Sequence, residues 1–417
     1  VEAVFAERVG RLDQPLQAVL RAASVEGEVF AAEVVARVRG MDEREVLRLL
    51  SAELDRRHRL IRAESIQRVN GQLLSRYRFR HILLQKYLYG GLDAVERVHL
   101  HEQVGKTLES FYGTEEHSRP MAVQLALHFE RARITEKAVQ YLQQAGDRAV
   151  QLSAYPEAIA HLTRALALLE ELPDSRDRAE KELSLQVSLS MARMGGIPGW
   201  EWQKAVTRSR ELSQRLGKVP QLSRVLGQIS ILHFVRAEYT SARELAEEAL
   251  KLAQQSDDPL LVALSHWNLG FICCGGGAHM RARDHLEQVI AFYDPGQHHL
   301  PFLQIHGSDP GASAMAYHAL CLWCLGYPDQ AAQQSREALD LAHALGHPFS
   351  LVDAVCFGGC VLDQMRRDPS ALKEHADELT KLSRRKGFTS FWGTGVGYQG
   401  EALAELGMVE EGIEEME

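Results

Sequence analysis

The chain has 417 residues, a formal net charge of −9, 45% hydrophobic and 25% charged residues. That length exceeds one ordinary core and calls for several domains or a repeat array. The acidic balance argues against the whole chain lying on nucleic acid or a membrane. No run approaches the roughly 18 apolar residues of a membrane span, and Val1-Glu2-Ala3-Val4-Phe5 lacks a basic segment before an apolar one, so a cytoplasmic protein is expected. Because this start also lacks Met and reads as mid-helix, the chain is expected to begin inside a longer protein.

Residues 1–100 read as a small winged-helix-like domain with a lead-in helix. Helical patterns cover Leu16–Ala23, Ala31–Val38 and Glu43–Asp55, with Asp42 and Glu45 spaced as a capping box. An Asn70-Gly71 turn then separates Leu60-Ile61-Arg62-Ala63 from the alternating run Ser75-Arg76-Tyr77-Arg78-Phe79, which predicts a type I′ hairpin. Such a fold invites a DNA-binding reading through the hairpin arginines Arg59, Arg62, Arg68, Arg76, Arg78 and Arg80. Against it, the acids Glu43, Glu45, Glu53 and Asp55 in the would-be recognition helix balance Arg44, Arg48, Arg56 and Arg57. A helix facing phosphates needs a basic excess, so intramolecular packing is expected instead.

Residues 101–417 carry a repeat: an apolar helix, a turn marked by Gly or Pro, and a second helix with a small residue near its start. Ala158, Ala205, Ala242, Ala282, Ala331, Ala371 and Gly412 fall 37 to 49 residues apart, longer than the about 34 of a regular tetratricopeptide unit. Small residues let two helices cross closely, and Ala165-Leu166, Ala249-Leu250 and Ala338-Leu339 continue that face two turns later. His266-Trp267-Asn268-Leu269-Gly270-Phe271 resembles the first-helix signature of such repeats. The predicted architecture is mainly α, a tetratricopeptide-like solenoid. One stretch, 294–311, carries Pro295, Gly296, Pro301, Gly307, Pro310 and Gly311 and is expected to be an irregular insertion, not a continuous helix.

In a solenoid the concave groove is the default ligand site, so Trp267, His306, Asp309, Trp323, His347 and Trp392 are candidates for binding a protein or small effector. Cys321 and Cys324, with Cys356 and Cys360, have spacings that allow zinc, and His298, His299 and His306 offer imidazoles. All six cysteines sit in apolar helical runs, so reduced core thiols and no metal are expected. No catalytic constellation is apparent. The chain ends in Val409-Glu-Glu-Gly-Ile-Glu-Glu-Met-Glu417, an uncapped repeat helix, which predicts further chain or self-association.

Several strings together resemble the C-terminal half of the bacterial signal-transduction ATPases with numerous domains, in the group of AAA-like ATPases often fused to class III adenylate/guanylate cyclases or kinases. They are Leu20 to Phe30 (Leu-Arg-Ala-Ala-Ser-Val-Glu-Gly-Glu-Val-Phe), Tyr77 to Gln85 (Tyr-Arg-Phe-Arg-His-Ile-Leu-Leu-Gln), Ala237 to Ala246, His306 to Gly311, Leu325 to Ala331 and Gly346 to Leu351. The resemblance implies an upstream nucleotide-binding domain holding ATP or ADP with Mg, and a winged helix relaying what the repeats sense. The sequence contains no Gly-x-x-x-x-Gly-Lys-Ser/Thr phosphate loop, so this region is expected to bind no cofactor and hydrolyse no ATP alone. Phe79-Arg80-His81 resembles the Met-His-Asp motif that contacts ADP in related switches, which makes His81 a candidate ADP sensor, although Ile82 stands where the motif has Asp.

Overall fold

The structure is a computed structural model that describes residues 2–112, 121–194 and 200–416, so Val1 and Glu417 fall outside it. It divides into two compact units, residues 1–145 with 164–172, and residues 146–163 with 173–417. Among the described residues no helix is long and apolar enough to cross a membrane.

The first unit opens with helices Glu2–Gly10 and Gln14–Glu26, followed by strand β1 (Val29–Ala31) and helix Ala32–Arg39. Helix Glu43–Arg48 continues as a π-helical stretch over Leu49–Arg57, then β2 (Ile61–Val69) and β3 (Gln72–Phe79) form the hairpin. Asp42 caps its helix by accepting from the Arg44 and Glu45 amides at 3.0 and 3.2 Å. Asn70 and Gly71 take φ of 47° and 81°, the left-handed pair that a type I′ turn needs. The antiparallel sheet has the order β1-β3-β2, and the short β1 has no counterpart in the sequence reading. It is held by Phe30, fully buried with its ring 5.2 Å from Phe79 and 6.2 Å from Tyr77. One core joins Leu16, Leu20, Val35, Leu50, Leu54, Ile61 and Phe79.

Helices Ala94–Tyr112 and Ala122–Arg131 follow within this unit. They enclose a histidine pair: His101 Nδ1 and His128 Nδ1 lie 2.9 Å apart, and the Tyr89 hydroxyl lies 2.9 Å from His101 Nε2. Burial, with Arg131 nearby, holds His101 down at about 4 and, with His101 beside it, His128 at about 3, so both rings are neutral.

The second unit is a series of helix pairs: Val219–Val235 with Tyr239–Gln254, Pro259–Gly275 with His279–Phe292, Pro310–Cys324 with Pro328–Leu345, and Thr389–Glu405 with Val409–Met416. The turn within a pair holds one left-handed residue, Ala237, Gly277, Gly326 or Gly407. The same turn closes a hydrogen bond five residues back, such as Ala278 N to Cys273 O at 2.8 Å. Ala158, Ala205, Ala242, Ala282 and Ala331 are buried at 0–2% exposure, and Gly412 is buried as well. Ala371 is a correction. It is half-buried, and Leu372, whose amide bonds Asp368 O as Ala331's bonds Tyr327 O, occupies the inward position. Gly270 shows why the crossing needs a small residue: a Cβ there would stand 2.6 Å from Leu286 Cγ.

The expected irregular stretch is mostly helical, which corrects the sequence reading. Pro295–His306 is a helix that contains Pro301, and only Gly307–Asp309 interrupts it before helix Pro310–Cys324. Asp294 Oδ1 accepts from Gly296 N and Gln297 N, so Pro295 begins a capped helix where the composition suggested a breaker. At the far end of the chain Val409, Ile413 and Met416 are about half exposed.

Candidate functional site

Within the second unit the first helices of successive repeats turn an aromatic row toward one cavity of about 200 Å³. Trp267 and Phe271 come from Pro259–Gly275, Tyr317 from Pro310–Cys324, and Phe349 and Phe357 from the run 348–361. Phe388, Phe391 and Trp202 line it as well. Their ring centroids form a chain, Trp267 to Phe271 at 6.0 Å, Phe271 to Tyr317 at 5.2 Å and Tyr317 to Phe357 at 4.9 Å. Helical spacing explains the row, since Trp267 and Phe271 stand one turn apart and share a face. Phe271, Phe349, Phe357 and Phe391 are only half-buried, so the walls remain open to a ligand.

Three polar groups of this wall matter. Asp353, half-buried, lines the cavity and accepts a long 3.4 Å hydrogen bond from the Tyr317 hydroxyl. Desolvation lifts its carboxyl to about 7 although the nearby Tyr317 and Ser313 hydroxyls pull the other way. Among the described residues the buried Trp202 Nε1–H and His306 Nε2 have no hydrogen-bond partner. Burial, reinforced by Arg224, holds the His306 ring down at about 4, so it is neutral. Arg224 lies in an adjoining recess of about 30 Å³, where its guanidinium donates to Ile305 O.

Of the six groove candidates, the structure brings three to this cavity: Trp267, His306 and Asp309. Trp267 donates to Ser313 Oγ at 2.8 Å and meets the His306 ring edge-on at 5.1 Å. Asp309 is occupied by the fold. Its Oδ2 accepts from Tyr293 at 2.5 Å and pairs with His299 Nδ1 at 2.6 Å, and its Oδ1 accepts from Gly311 N. His347 is likewise structural, with Nδ1 2.9 Å from Ser350 Oγ and Nε2 3.1 Å from Gln151 O. Trp323 packs against the repeat core away from the cavity, and Trp392 is 42% exposed outside it. The sequence reading missed Trp202, Phe349, Asp353 and Phe391. One signal was available, a lone carboxylate inside the apolar run Leu351-Val352-Asp353-Ala354-Val355.

His81 sits exposed where β3 passes into helix Ile82–Gly90. In the hairpin, Arg78 is paired with Glu28 at 2.7 Å and Glu64 at 2.6 Å, and Arg80 with Asp55 at 2.9 Å, which removes part of the basic surface a DNA contact would use. Gly105-Lys106-Thr107 falls inside helix Ala94–Tyr112 with Lys106 paired to Glu102 at 2.6 Å, so it forms no phosphate cradle.

All six cysteines are free, five are buried, and Cys324 is exposed, contrary to the expectation that every thiol is in the core. Among the described residues the cluster with metal-ligand spacing is Cys274, His279 and Cys321, whose ligand atoms lie within 4.8 Å of one another. His298 and His299 do not join it: His298 stacks on Phe292 and His299 pairs with Asp309.

No protein-family model matches the sequence, and no curated protein matches it. Solved structures do. A Rap protein complexed with competence and sporulation factor is similar over 77% of this chain and 90% of its own, with a TM-score of 0.52 at 12% identity. The apo quorum sensor NprR from B. thuringiensis is similar over 80% and 89%, with a TM-score of 0.50 at 13% identity. A signal transduction ATPase with numerous domains and a tetratricopeptide repeat sensor from Pyrococcus horikoshii aligns over 100% of this chain and 65% of its own, with a TM-score of 0.42 at 12% identity. At these identities the first two establish the architecture, a tetratricopeptide-like α-solenoid.

Proposed function

We propose that this chain is a regulatory ligand-sensing region whose repeats bind an effector in the aromatic groove. The carrying observation is the cavity itself, with half-buried rings from successive first helices around polar groups that have no partner among the described residues. Apolar concavities with a few converging polar groups are the ordinary form of a ligand site. The similar Rap structure, which carries competence and sporulation factor, supports a bound effector on this architecture.

On this reading the three helices and hairpin of the first unit are a winged helix. It relays occupancy of the repeats to an upstream nucleotide-binding domain in the same polypeptide, where His81 faces ADP. The support is the sequence resemblance and the exposed place of His81 at the sheet–helix junction. The chain acts in the cytoplasm and carries no metal or nucleotide of its own. Deleting residues 121–417 from the parent protein is expected to change basal or effector-stimulated ATPase activity. An unchanged activity under both conditions refutes the relay.

A further inference from the structure

The ligand class can be read from the cavity, and this inference rests on the groove being the effector site. We propose that the groove takes a small organic cation, an ammonium or guanidinium on an apolar body, held between the Asp353 carboxylate and the rings of Phe271, Tyr317 and Phe357. A carboxylate in such a setting is costly unless something compensates it. Among the described residues the protein offers it a 3.4 Å hydrogen bond from Tyr317 but no cationic side chain. The buried base Arg224 belongs to the adjoining recess, and Asp147 and Asp258 are the acids that act on it.

The surrounding rings supply the rest. Aromatic faces attract cations through their quadrupole, most strongly where water is excluded. The cavity of about 200 Å³ has room for a body of roughly one large side chain. The indole N–H of Trp202, without a partner among the described residues, asks for an acceptor, which predicts an oxygen on the same ligand. An extended peptide is the less suited occupant. The Asn268 amide nitrogen donates to Gly227 O and Ser230 Oγ at 3.1 and 2.7 Å, and Gln228 accepts from Ser190 at 2.7 Å, so these groups bridge neighbouring first helices, and only Asn268 Oδ1 is left without a partner among the described residues.

A proton linkage follows. The cation needs Asp353 ionised, so affinity rises as pH increases through about 7 and levels off above it. Of the other titratable groups facing this site, burial keeps Tyr317 and Cys356 protonated and His306 neutral, and the Asp309 carboxylate is engaged by Tyr293 and His299.

Isothermal titration with three probes of one shape tests this: tyramine as the cation, 4-ethylphenol as its neutral analogue and 3-(4-hydroxyphenyl)propionate as the anion. Tyramine is expected to bind at least 10-fold more tightly than either analogue at pH 8. Asp353→Asn should remove that preference while keeping the far-UV spectrum, and Phe271→Leu should weaken tyramine while sparing 4-ethylphenol. Equal binding of the three probes, or unchanged tyramine affinity in Asp353→Asn, overturns the cation assignment while leaving a groove site in place. Binding of acetyl-Phe-Arg-Phe-amide without tyramine overturns the small ligand in favour of a basic peptide. If no probe binds, this inference falls, and the deletion experiment on the parent ATPase still decides the broader role.

Discussion

Gly270→Ala tests the packing rule on which the repeats rest. The added methyl would lie 2.6 Å from both Leu286 Cγ and Cδ2, about 1 Å inside carbon–carbon contact. Leu286 is fully buried beside Ala282 and Val289, so it cannot swing into solvent. Overpacking of this kind costs about 1–3 kcal/mol, offset by about 1 kcal/mol because Ala favours the helix over Gly. Gly397, also within a helix, has open space where its Cβ would go, so Gly397→Ala should stabilise by about 0.5–1 kcal/mol. The two variants therefore differ by roughly 1–3 kcal/mol in urea unfolding followed by circular dichroism, with Gly270→Ala the weaker. Leu286→Ala makes the room that the methyl needs, so the double variant should lose less than the two single losses combined. Gly270→Ala equal to or more stable than Gly397→Ala would refute the close-crossing argument.

Acid should loosen the first unit. Neutral burial lowers the pKa of His101 to about 4 and of His128 to about 3 against an ordinary 6.5, so the folded state binds fewer protons than the unfolded chain. This stability is present above pH 6.5 and is lost as pH falls toward 4. Replacing His128 by Gln should flatten that loss, as read by unfolding midpoints between pH 7 and 4.5. The thiols near His279 are expected to be core packing, so elemental analysis of purified protein should show well under one zinc per chain. One equivalent that disappears in Cys274→Ser would reassign the Cys274, His279 and Cys321 cluster as a metal centre. With Arg78 and Arg80 tied to local acids, duplex DNA should show no salt-dependent binding in anisotropy titrations at low ionic strength, and binding that weakens with salt would restore the DNA reading.

What the sequence alone determined were the features written in short-range chemistry. Buried small residues at 158, 205, 242, 282 and 331 mark the helix crossings, because helical period and side-chain size act locally. The Asn70-Gly71 turn and the Asp42 cap were legible for the same reason, each being a contact within three residues. The stretch 294–311 was misread where composition competed with capping, since prolines after Asp294 and Asp309 start helices as readily as they end them. The cavity was beyond such rules. Trp202, Asp353 and Phe391 are separated by up to 189 positions in the chain (391 − 202) and converge only once the helix pairs have stacked. Which Trp faces inward was also decided there. Trp267 and Trp392 both lie on first helices, but only the stacking of neighbouring repeats encloses one and leaves the other at the surface. Long-range convergence of this kind depends on the angle at which each pair crosses the next, a property of many contacts together that no single motif records.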